Sequence, residues 1–577
     1  MLTAGAAVFR RAQSRDHSLW GEHLPDPTVA DIYESLSTDH RQVVDRVAEG
    51  YYSFWLGSGI SKRRAKTVPA FLRGLLDFLA TRLEIEDDGP HRVALIEILK
   101  LVGVRVDDDH PLENLSDWSD LDTICNDLSG QYSAALDVDV DGEEPDYLLW
   151  EGIDVVAQYA GEMEPDIEHL AIAMLGVEGA APILITANWD PLVERAYDLL
   201  FGTRDGLLKV EVHPDEFRPP HARTELIKFH GCATFADVNE LRYRPLLIAR
   251  KSQISDWITD QDFRALRERL TGIVRDYPSL IAGLSAQDAD IQAVFGLAAD
   301  MNPWSWPSDA GAVVVATPQL GSDQKQVLKQ AYSQAYTPNA RDIQADASLG
   351  AYPRVVFLAL LAHVWRAKLA LALDDLGLAP EVRDPLAVGV ATWSRTMASA
   401  FDAGETIDLL AALTTITRGM TRFRRGKPGS AIYEPISPEP ARERPQGQSG
   451  RRVDTEVAAL SLVAGAMTSG AADRRWEISS AVLDISSLQV KLPSGVERAV
   501  QTFADDGALA AATADHELAG PLTVIAYRSP NQQRSPRHSV GRTGHFEAEP
   551  FYLDSVIDSG VETLSDLLDA LEGYLVL

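Results

Sequence analysis

The sequence holds only two cysteines, Cys125 and Cys232, in 577 residues. Two distant thiols build no disulfide framework, so a reducing compartment, the cytoplasm, is the expected setting. They also exclude a four-cysteine structural zinc site. Histidine does not fill the gap. His213, His221 and His230 lack the spacing of a compact zinc site, and no metal is expected. Positive charge is scarce too: 53 Lys and Arg stand against 85 Asp and Glu, a net charge of −32. So acidic a surface repels phosphate, which excludes broad direct nucleic-acid binding. The longest apolar stretch, 355–364, contains His363 and is followed by Arg366, so no membrane-spanning segment is expected. Near the N-terminus, Arg10 and Arg11 follow the apolar run instead of preceding it, the wrong order for a secretory signal. The acidic loop 137–146 does not complete the calcium-loop pattern of spaced acids, central glycine and terminal glutamate. No internal repeat is visible.

What is present describes a globular chain. Hydrophobic residues make up 45% and charged residues 24%, a balance that supports packed cores and argues against broad disorder. The length predicts two to four domains. The chain is organised around YYSFWLGSGIS at 51–61. Residues 51–56 read as a buried strand, apolar on both faces as in the middle of an α/β sheet. Gly57, Ser58 and Gly59 follow at once, and glycines there let the backbone turn sharply and approach a ligand. A helix starting near Pro69 comes next. Strand, glycine turn and helix is the layout that holds a pyrophosphate. Position 62, where a full dinucleotide fingerprint has a third glycine, is Lys62.

Three later stretches repeat the design. PILITANWD at 182–190 is an apolar strand ending in Asn188 and Asp190. LIKFHG at 226–231 ends in His230 and Gly231. LIAGLSAQDADI at 280–291 runs into Gly283, Ser285 and Asp288. Open α/β sheets bind ligands beyond the carboxyl ends of their strands. Four apolar runs that all end in glycine, polar or ionisable residues therefore predict a Rossmann-like parallel sheet with one site along that edge. GAVVVAT at 311–317 fits a last strand.

The order GSGIS, TANWD, KFHG, GLSAQD resembles a sirtuin-like domain, and more narrowly the bacterial sirtuin-like domains that hydrolyse NAD in anti-phage defence. The resemblance covers positions 45–320. It departs at Ala187, where a polar residue is usual, and at Pro69-Ala70-Phe71, which lacks the acid of the family's Pro-Asp-Phe segment. It implies NAD as the substrate. Breaking the nicotinamide–ribose bond builds positive charge on the ribose, as in glycoside cleavage. On that reading Gly57 and Gly59 let backbone N–H groups reach the pyrophosphate, and Ser58 and Ser61 add hydroxyls. Asn188 holds the attacking water and the ribose hydroxyls. His230 is the acid/base at the ribose. Asp190 fixes the Asn188 loop or pairs with the nicotinamide amide, and Gly283, Ser285 and Asp288 border the adenosine half. Plain structural roles stand beside these: Asp190 before Pro191 is also a good helix N-cap, and Asp288 can cap the next helix.

The chain divides into an N-terminal helical segment (1–50), the NAD-binding domain (51–325) with a helical insertion at about 75–175, a helical region (326–421), a proline- and arginine-rich linker (422–452) and a C-terminal α+β module (453–577). That module carries no catalytic motif and is the candidate partner or sensor region. Three functions compete: an NAD glycohydrolase, a non-catalytic NAD or ADP-ribose binder, and a protein deacylase. The missing zinc cysteines disfavour the deacylase. The intact Asn188 and His230 favour the hydrolase. A homo-oligomer is expected as a means of control, and the resemblance adds a separate sensor or ATPase protein, alone or together with it.

Overall fold

A computed structural model of the chain describes residues 27–83, 89–106, 110–307, 311–402, 405–442, 455–478, 483–514, 523–528 and 550–576. The fold is α/β. Six parallel strands form the main sheet: β1 Ser53–Leu56, β2 Ile183–Thr186, β3 Leu208–Glu211, β4 Thr224–Lys228, β5 Ser279–Ala282 and β6 Val313–Ala316. Their order is β3-β4-β2-β1-β5-β6. Leu56 lies level with Thr186 and with Ala282, and Thr186 with Lys228, so the carboxyl ends of four strands form one edge. The order reverses at β1, the kind of switch point where open sheets form a crevice.

Successive residues of each strand face opposite layers. Phe54, Leu184, Leu226 and Leu280 enter one core, and Trp55, Ile185, Ile227 and Ile281 the other. Both faces are covered, which is why the strands read as continuous apolar runs. β3 was not expected. LKVE at 208–211 is short and only half apolar because it is the sheet's edge strand, hydrogen-bonded on one side to β4.

The insertion begins with the helix Val68–Leu83 and has its own core, built on Leu72, Leu76, Leu95, Leu99 and Leu128. That core also takes Ala233, Ala236, Leu247 and Ala249 from the β4–β5 connection, which seats the insertion over the end of β4. The helix Ile167–Val177, counted with the insertion from sequence, packs instead in the first core of the sheet.

On the far side lie the helices Pro353–Asp374, Pro380–Ala400 and Thr406–Arg425. Among the described residues, Pro353–Asp374 alone is long and apolar enough to cross a bilayer, and 72% of its apolar window is buried inside the protein. It is the central helix of this layer, with the expected N-terminal segment, two helices at Val29–Thr38 and Arg41–Ala48, packed beside it.

The expected linker needs correction over its described part. Arg422 to Arg425 end a helix. Tyr433 and Ile436 are buried, and both bond to Glu178, at the end of the Ile167–Val177 helix, at 2.5 and 3.0 Å. Lys368 reaches the other oxygen of the same carboxylate at 2.5 Å. The segment is a strap, held because its aromatic and aliphatic residues between the prolines find a core. Residues 443–452 lie outside the described residues. The next helix, Thr455–Ala472, is buried almost throughout and packs against Pro353–Asp374 and Pro380–Ala400. Beyond it a second sheet runs β11-β10-β9-β8-β7, with β7 Glu477–Ile478, β8 Ser487–Lys491, β9 Glu497–Asp505, β10 Thr523–Arg528 and β11 Phe551–Tyr552.

Candidate functional site

The turn after β1 is interlocked with the turn after β5. A Cβ on Gly57 would lie 2.4 Å from Leu284 Cα, and one on Gly59 would lie 2.6 Å from Gly283 Cα. Gly283 itself has φ +65°, a conformation that side chains resist. The Gly57 amide donates to Ala282 O at 3.0 Å and the Gly59 amide to Gly283 O at 2.8 Å. Those of Ile60 and Ser61 donate back into the turn. Of the backbone N–H groups expected to reach a pyrophosphate, those of Gly57 and Gly59 are therefore not the ones free to do so. The glycines are there so that two backbones can touch, and their N–H groups are engaged. Ser58 and Ser285 are exposed on these two turns.

Ser61 is buried and receives two donors. His169 Nδ1 accepts the Asp166 amide at 3.1 Å, which places the ring proton on Nε2, 3.1 Å from Ser61 Oγ. Asn188 Nδ2 lies 3.2 Å from the same oxygen and 3.3 Å from Gly57 O. A carbonyl only accepts, so the carboxamide orientation is fixed: both N–H groups are used, and Oδ1 is left without a donor among the described residues. The Asn188 amide is held by Thr186 Oγ1 at 3.0 Å, and that hydroxyl bonds Leu56 O at 3.0 Å, tying the end of β2 to β1. Burial pushes His169 down to about 4, against the pull of Asp190 and Asp166, and keeps it neutral.

Asp166 connects this cluster to the rest of the chain. It sits 3.3 Å from Arg63 and 3.4 Å from Arg64, and it accepts the Thr406 hydroxyl at 2.6 Å. Burial works to raise its pKa, but Thr406, the Ile167 amide and the two arginines outweigh it and hold the carboxyl below its usual range. The basic run after the glycine turn is thus turned toward protein carboxylates at Arg63 and Arg64.

The other half of the site comes from β4 and β5. His230 follows β4. Its carbonyl accepts from Trp189 Nε1 and from the Ile248 amide, each at 3.1 Å. Its Nε2 lies 2.6 Å from Asp290 Oδ2, in the first turn of the helix Ala289–Met301. Since β4 and β5 are separated by β2 and β1, this contact spans the carboxyl ends of both central strands. Burial opposes charge on His230, but Asp290 outweighs it and holds the pKa above the ordinary value. Asp288 occupies the N-cap position but makes no side-chain cap. Its Oδ1 accepts the Tyr132 hydroxyl of the insertion at 2.9 Å. Burial first, and then Asp290, raise its pKa.

Asp190 takes its structural role: its Oδ1 accepts the Leu192 amide at 3.2 Å at the start of the helix Leu192–Phe201. Lys228 lies beneath, bonded to Asp190 O at 2.6 Å and Glu194 at 3.0 Å. His213 and His221 stand away from this group, His213 beside Asp215 in its own loop and His221 beside Glu225 of β4. Sequence reasoning missed His169, Asp166, Asp290 and Tyr132. Asp166-x-x-His169 ahead of an apolar run is a capping signal, and Asp290 is two residues past a noted acid, but their partners come from distant segments.

Among the described residues no group of His, Cys, Asp and Glu is arranged to hold a metal ion. No curated protein matches the chain. The family model of the SIR2-like domain matches residues 182–335, from β2 past β6. SIR2-like domains bind NAD, so the match points to an NAD-related function. The match begins after β1, yet β1 pairs with both β2 and β5. The chain therefore carries a SIR2-like domain, with β1 and its glycine turn as part of the same sheet.

Proposed function

We propose that this domain is an NAD glycohydrolase, which cleaves the nicotinamide–ribose bond to give nicotinamide and ADP-ribose. The observation that carries the reading is Asn188. Its two N–H groups are tied to Gly57 O and Ser61 Oγ, so the group it offers is a neutral acceptor, Oδ1, at the switch point of the sheet. A neutral acceptor orients water or a ribose hydroxyl without trapping a cationic transition state as an ion pair.

The C–N bond breaks with its electron pair leaving on nicotinamide. The water oxygen bonds to the ribose carbon, and the proton it sheds passes to neutral His230. Ser58 and Ser285 supply hydroxyls along the substrate, and Ser61, expected beside them, instead anchors Asn188. Gly57, Gly59 and Gly283 keep the two turns in register, and Asp288 and Asp190 hold the loops that frame them. The activity suits a defence effector that depletes NAD during phage infection, controlled by oligomerisation or by a separate sensor or ATPase protein.

Purified full-length protein incubated with NAD, with products resolved by chromatography, tests the reading. Nicotinamide and ADP-ribose in equal amounts support it. Nicotinamide released only with an acylated peptide present, or NAD bound and recovered intact under conditions where infected cells lose NAD, overturns it.

A further inference from the structure

His230 is more constrained than an acid/base residue in an open cleft. Its backbone is fixed on two sides, by Trp189 and Ile248. The ring is buried and packs edge-on to Phe229 at 4.4 Å. Asp290 is fully buried, and its second oxygen, Oδ1, accepts the Ile291 amide at 2.8 Å in the first turn of its own helix. The carboxylate cannot swing away without breaking its bond to the Ile291 amide.

A charged carboxylate only accepts hydrogen bonds, so the nitrogen facing it, Nε2, carries a proton in both charge states of the ring. The neutral ring then has one bare nitrogen, Nδ1, which has no protein partner among the described residues. Asp288 is the other charge near the ring, and Tyr132 covers it.

We propose that Asp290 is the positioning residue of His230: it fixes the neutral tautomer and makes Nδ1 the nitrogen that takes the proton at the ribose. This rests on the reading of the site as one that cleaves NAD. During hydrolysis the proton released from water binds Nδ1. The imidazolium so formed faces the Asp290 carboxylate through Nε2–H, and the proton then leaves Nδ1 for solvent. Asp290 stays ionised throughout, and no other co-reactant is needed.

The experiment uses the full chain with 15N-labelled histidine, its His230 signals assigned by their loss in His230→Gln. Without NAD, the neutral ring is expected to show a protonated Nε2 and a bare Nδ1, with a pKa above that of a free histidine. In Asp290→Asn the pKa should fall toward or below the ordinary value. Nicotinamide release should drop about 100-fold in kcat while NAD affinity changes less than about threefold, because the ring remains but is no longer held in one tautomer. The rising limb of the pH–rate profile should move to lower pH. A bare Nε2 in the parent protein overturns the proposal. So does an Asp290→Asn chain whose His230 pKa and kcat match the parent while Asn188→Ala is inactive. If the tautomer is as expected but no chain releases nicotinamide under activating conditions, the reaction assigned to the site fails and the positioning stands.

Discussion

Two buried histidines sit on opposite sides of this site, and their environments push them apart. His169, on the β1–β2 side, meets an amide and a hydroxyl. Those neighbours cannot balance a charge, so burial decides and the ring stays neutral. His230, on the β4–β5 side, meets a carboxylate, which outweighs a similar burial. Burial by itself therefore does not tell what a buried histidine does; the first neighbour at hydrogen-bond distance does. The two rings also couple to folding with opposite signs. His169 binds its proton more weakly folded than unfolded, so its share of stability is complete above about pH 6.5 and is lost as the pH falls toward 4. His230 binds more tightly folded, so its share is complete below the unfolded value and is lost as the pH rises through the folded one.

The comparison can be broken first at the chemistry. Asn188→Ala removes the fixed acceptor on the His169 side and should lower nicotinamide release about 1,000-fold, roughly 4 kcal/mol of barrier. If the two sides are one machine, His230→Ala should lose about as much, with the thermal transition of both variants close to the parent's. Either variant cleaving NAD at the parent rate would separate the sides.

Next comes the joint between them. Gly57→Val forces side-chain atoms into Leu284 and Gly283 and should cost about 3 kcal/mol or more of stability. Urea unfolding measures it, and an unchanged midpoint would mean that the two turns are not interlocked. NAD binding should be lost as well, because the new side chain drives the two backbones apart. Gly57 has φ −122°, so no positive φ is involved.

The third test is the pH dependence. With His169 near 4, its proton linkage amounts to about 3 kcal/mol between pH 6.5 and 4. Unfolding free energies of the parent and of His169→Gln, measured at pH 7.5 and 4.5, should converge at the lower pH. Parallel losses in the two proteins would show that His169 is not held neutral. The smallest effect is Tyr132→Phe. It removes the donor that the insertion gives Asp288 and should cost about 1–2 kcal/mol, read as faster hydrogen exchange in the helices of the insertion.

Much of this molecule is legible along the chain because its strands are short, apolar and buried on both faces. Residues 53–56, 183–186 and 313–316 fall inside the stretches read as strands, while 224–228 and 279–282 begin two residues and one residue before theirs. β3 was not legible, since an edge strand has one hydrogen-bonded neighbour and needs little apolar surface. The strap is not legible for a related reason: its prolines and arginines read as a linker, while Tyr433 and Ile436 take their meaning from Glu178, which is 255 and 258 residues away.

The sequence by itself determined the sheet, its carboxyl edge and the residue types gathered there, because hydrophobic period and glycine placement are local properties. It put Asn188 and His230 at strand ends. What only the tertiary structure decided is which groups those side chains meet. Asn188 presents an acceptor because Gly57 and Ser61 claim its N–H groups from a segment more than 100 residues away. Asp290, not Asp288, meets His230, because one helical turn carries the two carboxylates in different directions, one to Tyr132 and one to the ring. Charge state and hydrogen-bond polarity depend on distances of about 3 Å between remote segments, and no pattern along one chain encodes them.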